Sequence, residues 1–202
     1  PNLIRNFRSL PECNLKLMCD VNEQRLEHLR LLYPEVEGHT EYEHLLNGAG
    51  LDAVVIATSV KTHFQMAKAS LLSGKHTFIE KPMASTSEEC EELLDIARKQ
   101  GLILMVGHTF LYSSPVRKIK EIVTAGDIGE IRYISSQRLN LGLFQKDINV
   151  AWDLAPHDIS VILYILEEFP VSVNCRGNAH ITPSVEDVTT MCLTFKRNRF
   201  AT

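Results

Sequence analysis

Apolar and polar residues follow two different grammars along this chain, and the change between them falls near residue 108. From residue 15 to about 108, short apolar runs alternate with longer amphipathic ones. Leu15 to Asp20 predicts a strand, and Glu23 to Tyr33 a helix stopped by Pro34. Ala53 to Ala57 is an unbroken β-rich run, the pattern of a parallel strand covered on both faces. The spacing predicts a helix over Thr62 to Ser73 closed by Gly74, followed by a short strand, Thr77 to Ile79. Ser85, Thr86 and Ser87 offer caps for a helix whose apolar positions Cys90, Leu93, Leu94 and Ala97 fall at i, i+3, i+4 and i+7. Gly101 ends it, and Leu102 to Val106 reads as another buried strand. Such alternation means βαβ units and a Rossmann-type, doubly wound parallel sheet of the α/β class.

Beyond residue 109 the order changes. A helix from Pro115 to Ala125 leads through Gly126 and Gly129 into a long strand, Glu130 to Asn140. A helix from about Asp153 to Leu166 follows, with Pro156 tolerated in its first turn. Val171 to Ile181 and Asp187 to Lys196 close the chain as extended runs. The expected organisation is a dinucleotide-binding domain over 1–108 and an α+β domain with an open, mainly antiparallel sheet over 109–202.

Composition narrows the classes. The 202 residues are 45% hydrophobic and 23% charged, which suits a packed globular protein rather than a disordered one. A net charge of −4 with interspersed signs provides no basic surface for nucleic acid. The longest apolar run, Leu102 to Gly107, is far too short to span a bilayer, and the opening residues lack the pattern of a secretory signal. Five cysteines without CxxC or metal-ligand spacing suit reduced thiols in the cytoplasm. The opening Pro1 and the ending within a strand-like run suggest a portion of a longer protein.

Several residues stand where a parallel sheet binds ligands, at the carboxyl ends of strands. Asp20 follows the first strand, where an acid accepts bonds from adenosine ribose hydroxyls and repels a 2′-phosphate; it equally suits a turn before Val21-Asn22. Ala57-Thr58 ends the next strand. His63 opens the following helix, where it could face phosphate or ribose, or serve as a polar surface residue. Glu80-Lys81-Pro82 follows the short strand, and proline biases Lys81 to an extended backbone that carries its ammonium off the strand end; a solvated surface lysine fits as well. Asp153 and His157 lie four apart at a helix start, on one face and roughly 5–6 Å apart at Cβ. A carboxylate beside an imidazole orients it for proton transfer, although Asp153 as a helix cap beside a surface His157 is the plainer reading. The pair has no third metal ligand nearby, so no metal is expected. The other histidines, His108 among them, form no ligand cluster, and neither GxSxG nor a P-loop occurs.

The order of these elements carries a resemblance. Glu80-Lys81-Pro82, one βα unit after Ala57-Thr58, precedes Trp152-Asp153-Leu154-Ala155-Pro156-His157-Asp158 in a second domain. In this the chain resembles the glucose–fructose oxidoreductase / inositol dehydrogenase family, the Gfo/Idh/MocA type. With Arg138-Leu139-Asn140-Leu141-Gly142 it looks most like the nucleotide-sugar 3-dehydrogenase branch. The resemblance implies an NAD-dependent enzyme that oxidises a secondary ring hydroxyl of a sugar, nucleotide sugar or cyclitol. Lys81 would sit beside the nicotinamide and the reacting hydroxyl, and His157 would be the general base, held by Asp153 or sharing substrate binding with it. Glu80 and Pro82 would shape the cofactor site, and Asp20 beside neutral Val21 would favour NAD over NADP. Arg138 and Asn140 would contact substrate, and the open sheet would pair subunits into a homo-dimer or homo-tetramer. The family's opening strand and G-x-G-x-x-G turn are not in this sequence, whose first glycine is Gly38; Pro1 to Arg8 resembles the helix after that turn. An NAD-using glycosidase on the same scaffold, a non-catalytic sugar-binding relative and a bare dimerisation module are the alternative readings.

Overall fold

The computed structural model describes residues 2–47, 50–139, 144, 146 and 148–202. The chain forms two compact units, Pro1–Ile79 with Met83–Met105, and Glu80–Pro82 with Val106–Thr202. Glu80–Pro82 therefore groups with the second unit, although the expected division at 108 would put it with the first. The Lys81 side chain bonds to Asp153 of that same unit.

The first unit runs α1 (Asn2–Ser9), β1 (Leu17–Cys19), α2 (Glu23–Leu32), β2 (Glu37–His39), α3 (Glu43–Asn47), β3 (Ala53–Ile56), α4 (Val60–Leu72), β4 (His76–Ile79), α5 (Ser87–Gln100) and β5 (Leu104–Val106). Its local chemistry explains the boundaries. Asn22 caps α2 by accepting the Arg25 N–H, and Thr86 caps α5 by accepting that of Glu89. Gly101 ends α5 at φ 65°, a conformation that favours a residue without Cβ. Met18, Leu26 and Val36 form one buried cluster, in which α2 packs on β1.

β1 pairs with β2 in parallel, and β3 pairs with β4 in parallel. The strands hydrogen-bond as β1-β2 and β3-β4-β5, and these parallel pairings are those of the Rossmann-type architecture expected. The burial pattern departs from the expectation for β3. Val54 and Ile56 are buried, and their β4 partners Thr77 and Ile79 share that face. Val55 points the other way and is 37% exposed. An apolar run alone does not tell a one-sided strand from a two-sided one. On that other face, Phe7 of α1 meets Phe78 edge-on, with ring centroids 6.0 Å apart. In α5, Leu93 and Ala97 are buried, but Leu94 is exposed.

The second unit continues with a 3-10 helix (Thr109–Tyr112), α6 (Ser114–Ala125), β6 (Tyr133–Ile134), α7 (Val150–Leu166), β7 (Ser172–Asn178), β8 (Val188–Thr194) and β9 (Phe200–Ala201). Its sheet has the order β6-β9-β8-β7. Two pairings are antiparallel, β7-β8 and β8-β9, and β6-β9 is parallel, so the sheet is mixed. One face packs on α7 through Ile162, Leu193, Phe195 and Ala201, with Ile134, Ile159 and Met191 around them. Within the run expected as a long strand over Glu130 to Asn140, Tyr133–Ile134 pair with β9, Tyr133 with Phe200 and Ile134 with Ala201; Asn140 is outside the described residues. α7 starts three residues before Asp153, with Asn149 as its cap accepting the Trp152 N–H. Pro156 consequently lies inside the helix, beyond its first turn, which corrects the expected placement.

Candidate active site

Lys81 lies two residues past the end of β4, and its backbone N–H donates to its neighbour's carboxylate, Glu80 Oε2, at 3.2 Å. Its ammonium is held at two points on α7. Nζ donates to the Asp153 carbonyl at 2.6 Å and to Asp153 Oδ1 at 2.8 Å. The two side chains are 18% and 25% exposed, so solvent competes weakly for this pair. Gly107 permits a close approach beside them: a Cβ there would lie 3.0 Å from Glu80 Oε2. Pro82 is buried.

His157 lies one helical turn after Asp153, yet the two are not bonded as expected. The Asp153 carboxylate goes to Lys81, because an ammonium attracts it more strongly than a neutral imidazole. Among the described residues, the buried His157 Nδ1 has no hydrogen-bond partner. Packing orients the ring in its place. Phe110, from the 3-10 helix, meets it edge-on at 4.9 Å between centroids. Arg138 lies over Phe110 at 4.8 Å and is bonded to Asp158, which also accepts from Ser136 Oγ at 2.7 Å. Arg138, expected as a substrate contact, thus has its guanidinium engaged within the unit. Burial pushes the His157 imidazole below its ordinary range, aided by the charges of Lys81 and Arg138 and by His108, and opposed by Asp158.

Sequence reasoning passed over His108. Its Nδ1 is also buried without a partner among the described residues, and burial lowers its pKa. The signal was its place, just after β5 and Gly107, as Lys81 stands just after β4. Phe110 and Asp158 were missed as well; Asp158 stands beside His157 within the quoted motif.

In the first unit, Asp20 follows β1 and its Oδ1 accepts the Asn22 N–H at 2.9 Å, the turn arrangement that the sequence also allowed. Ala57 and Thr58 follow β3, and the Thr58 hydroxyl accepts from that of Thr62 at 2.7 Å. His63 corrects an expectation. It is 1% exposed, and its Nε2 donates to the Thr58 carbonyl at 3.1 Å, so the ring serves the interior of the unit rather than an open helix start. The fourth position of α4 faces inward. Asn140 lies outside the described residues. Among the described residues there is no cluster of three or more His, Cys, Asp or Glu that could hold a metal ion, and no helix is long and apolar enough to cross a membrane.

The residues present suit a dinucleotide. Within the first unit, Asp20 and Thr58 stand at the carboxyl ends of parallel strands, where ribose hydroxyls are bound.

Comparison with known proteins agrees. Residues 1–108 match the model of the Gfo/Idh/MocA oxidoreductase family with an NAD-binding Rossmann fold, and residues 116–202 match its C-terminal domain. The chain is 26% identical to the oxidoreductase YrbE of Bacillus subtilis, across 98% of its own length and 61% of that protein's. It is 33% identical to a UDP-N-acetylglucosamine 3-dehydrogenase of Acidithiobacillus ferrooxidans, across 70% of its length and 44% of the relative's. An NAD-binding protein from Listeria innocua superposes with a TM-score of 0.89 at 21% identity, covering 99% of this chain and 61% of that one, which speaks to fold. The chain thus spans roughly half of the relatives it matches.

Proposed function

This chain belongs to the Gfo/Idh/MocA oxidoreductase family, and from that premise we propose that it oxidises a secondary ring hydroxyl of a sugar, nucleotide sugar or cyclitol. The observation that carries this reading is the two-point hold of Lys81 Nζ by Asp153, one turn before His157. An ammonium has three N–H donors. Two go to Asp153, and the third is assigned to the substrate oxygen. As the hydroxyl proton passes to the His157 imidazole, the fixed ammonium stabilises the charge growing on that oxygen. Bound NAD supplies the acceptor for the carbon-bound hydrogen and its electron pair, so that the C–O single bond becomes a carbonyl. Asp20 receives ribose hydroxyls and, as an acid, disfavours the 2′-phosphate of NADP. Glu80 and Pro82 support Lys81 from its own loop. A nucleotide sugar is favoured as substrate by the likeness to the UDP-N-acetylglucosamine enzyme. The five unpaired thiols suit the cytoplasm as its place of work.

The test is NADH absorbance from the full-length protein with NAD and either UDP-N-acetylglucosamine or myo-inositol. Accumulating NADH is expected with one of them. Release of a sugar without NADH would indicate the glycosidase instead. A general base must be neutral, and a lowered pKa keeps His157 neutral further into acid. The acid limb of kcat/KM is therefore expected below the ordinary histidine value of about 6.5. A limb at or above that value contradicts the assignment.

The sheet face away from α7 carries Tyr133 and Phe200, stacked with centroids 5.6 Å apart and 62% and 43% exposed, with Val188 further along. We assign this face to a second copy of the chain, as a homo-dimer or a step towards a homo-tetramer. Tyr133→Glu places a charge in that patch and is expected to give monomers in sedimentation velocity at micromolar concentration. An unchanged oligomer would remove this face from the contact.

A further inference from the structure

The first turn of α7 carries the hold on Lys81, so whatever fixes that turn fixes the site. Its leading N–H groups have no partners inside the helix. Asn149 takes one of them, and the N–H of Val150 donates to the Glu186 carbonyl at 2.8 Å. Glu186 belongs to the connection between β7 and β8, far along the chain from α7.

Asp187 closes that connection. Its Oδ2 accepts the backbone N–H groups of His180 and Ile181, each at 2.7 Å, and its Oδ1 pairs with His180 Nδ1 at 2.8 Å. Its own N–H donates to the Asn178 carbonyl at 3.0 Å. The Asp187 side chain is 9% exposed although the histidine it holds is 61% exposed. Gly177 lets the returning segment lie against β7: a Cβ there would come within 2.9 Å of Thr189 Cγ2, 3.0 Å of Glu186 Cγ and 3.1 Å of the Val188 carbonyl.

We propose that Asp187 is a positioning residue for the active site: by closing the β7–β8 connection it holds the Glu186 carbonyl against α7's first N–H and so sets Asp153 and Lys81. The inference rests on the assignment of Lys81 and His157 above. The hydrogen bond from His180, more than any other cause, keeps the Asp187 carboxyl below the usual range, so it is a charged acceptor at neutral pH. A displacement near 1 Å in the α7 first turn moves the Lys81 ammonium with it, since both bonds from Nζ end on Asp153.

Asp187→Ala in the full-length protein is expected to lower kcat about 10- to 100-fold with the KM for NAD within about twofold. Amide hydrogen exchange at residues 150–153 is expected to accelerate roughly tenfold. Asp187→Asn rescues both readouts, because its amide oxygen keeps the two backbone bonds and its NH2 can donate to the other His180 tautomer. If the alanine variant does not fold, His180→Ala, which loses only the ring bond, should lower kcat by about threefold. Unchanged exchange at 150–153 overturns the proposal, and so does faster exchange with undiminished kcat. If the unaltered protein oxidises no sugar, the functional reading fails alone, and the exchange arm still decides whether Asp187 holds α7.

Discussion

Replacing Lys81 or His157 by alanine in the full-length protein abolishes NADH formation and leaves NAD binding intact: that is the expected result with the largest effect. Removing the base from His157 costs the proton-transfer contribution, typically about 10²–10⁴-fold. Removing Lys81 takes away a donor fixed at the point where charge develops, a loss on the order of 10²–10³-fold in kcat. Fixing matters because Nζ lies 2.6 and 2.8 Å from two oxygens of one residue, and it need not reorganise as the substrate oxygen charges. NAD affinity is expected to be spared because the adenosine side of the cofactor is assigned to Asp20. Fluorescence titration with NAD, beside the absorbance assay, checks both halves. Near-normal turnover in either variant would sink the catalytic assignment, and lost NAD binding would move that residue's role to the cofactor.

The largest stability effect is expected from Phe195→Ala. Phe195 is 2% exposed and packs with Ile162, Leu193 and Ala201 where the sheet of the second unit meets α7. Truncating a buried phenylalanine removes its transfer free energy and leaves a cavity that neighbours fill only partly, costing about 3–5 kcal/mol. Against a total of roughly 5–15 kcal/mol that is a large share. For a protein of this size the thermal midpoint should fall by roughly 6–20 °C, which calorimetry reads directly. A fall of less than about 2 °C would mean that the site collapses around the gap and that Phe195 is not a keystone of this core. Because α7 carries Asp153 and His157, the same variant should lose activity at temperatures where its sheet begins to open.

Strong periodicity was legible. The helices α2, α4, α5 and α6 lie within two or three residues of where apolar spacing and caps put them. β2 and α3 were not read, for a physical reason. Glu37-Gly38-His39 has no apolar alternation, and it is a strand because its backbone pairs with β1, from Leu17↔Glu37 to Cys19↔His39.

The candidate site divides the same way. Side chains at spacing i, i+4 share a helix face, so the sequence alone determined that Asp153 and His157 lie together on α7, and that Lys81 follows a strand. It also determined the two-part α/β and α+β plan, because hydrophobic period is a local property of the chain. Which partner each group takes was decided only by tertiary structure. Asp153 could bond His157 or another cation, and the fold brings Lys81, 72 residues away, into contact with it. His63 read as facing a ligand or lying at the surface, and helix packing turned it inward to Thr58 instead. The Phe110–Arg138 support of His157, the unpartnered His108 and the bond from Val150 to Glu186 are contacts between distant segments. No local pattern encodes them, since their energy exists only once burial has removed the competing water.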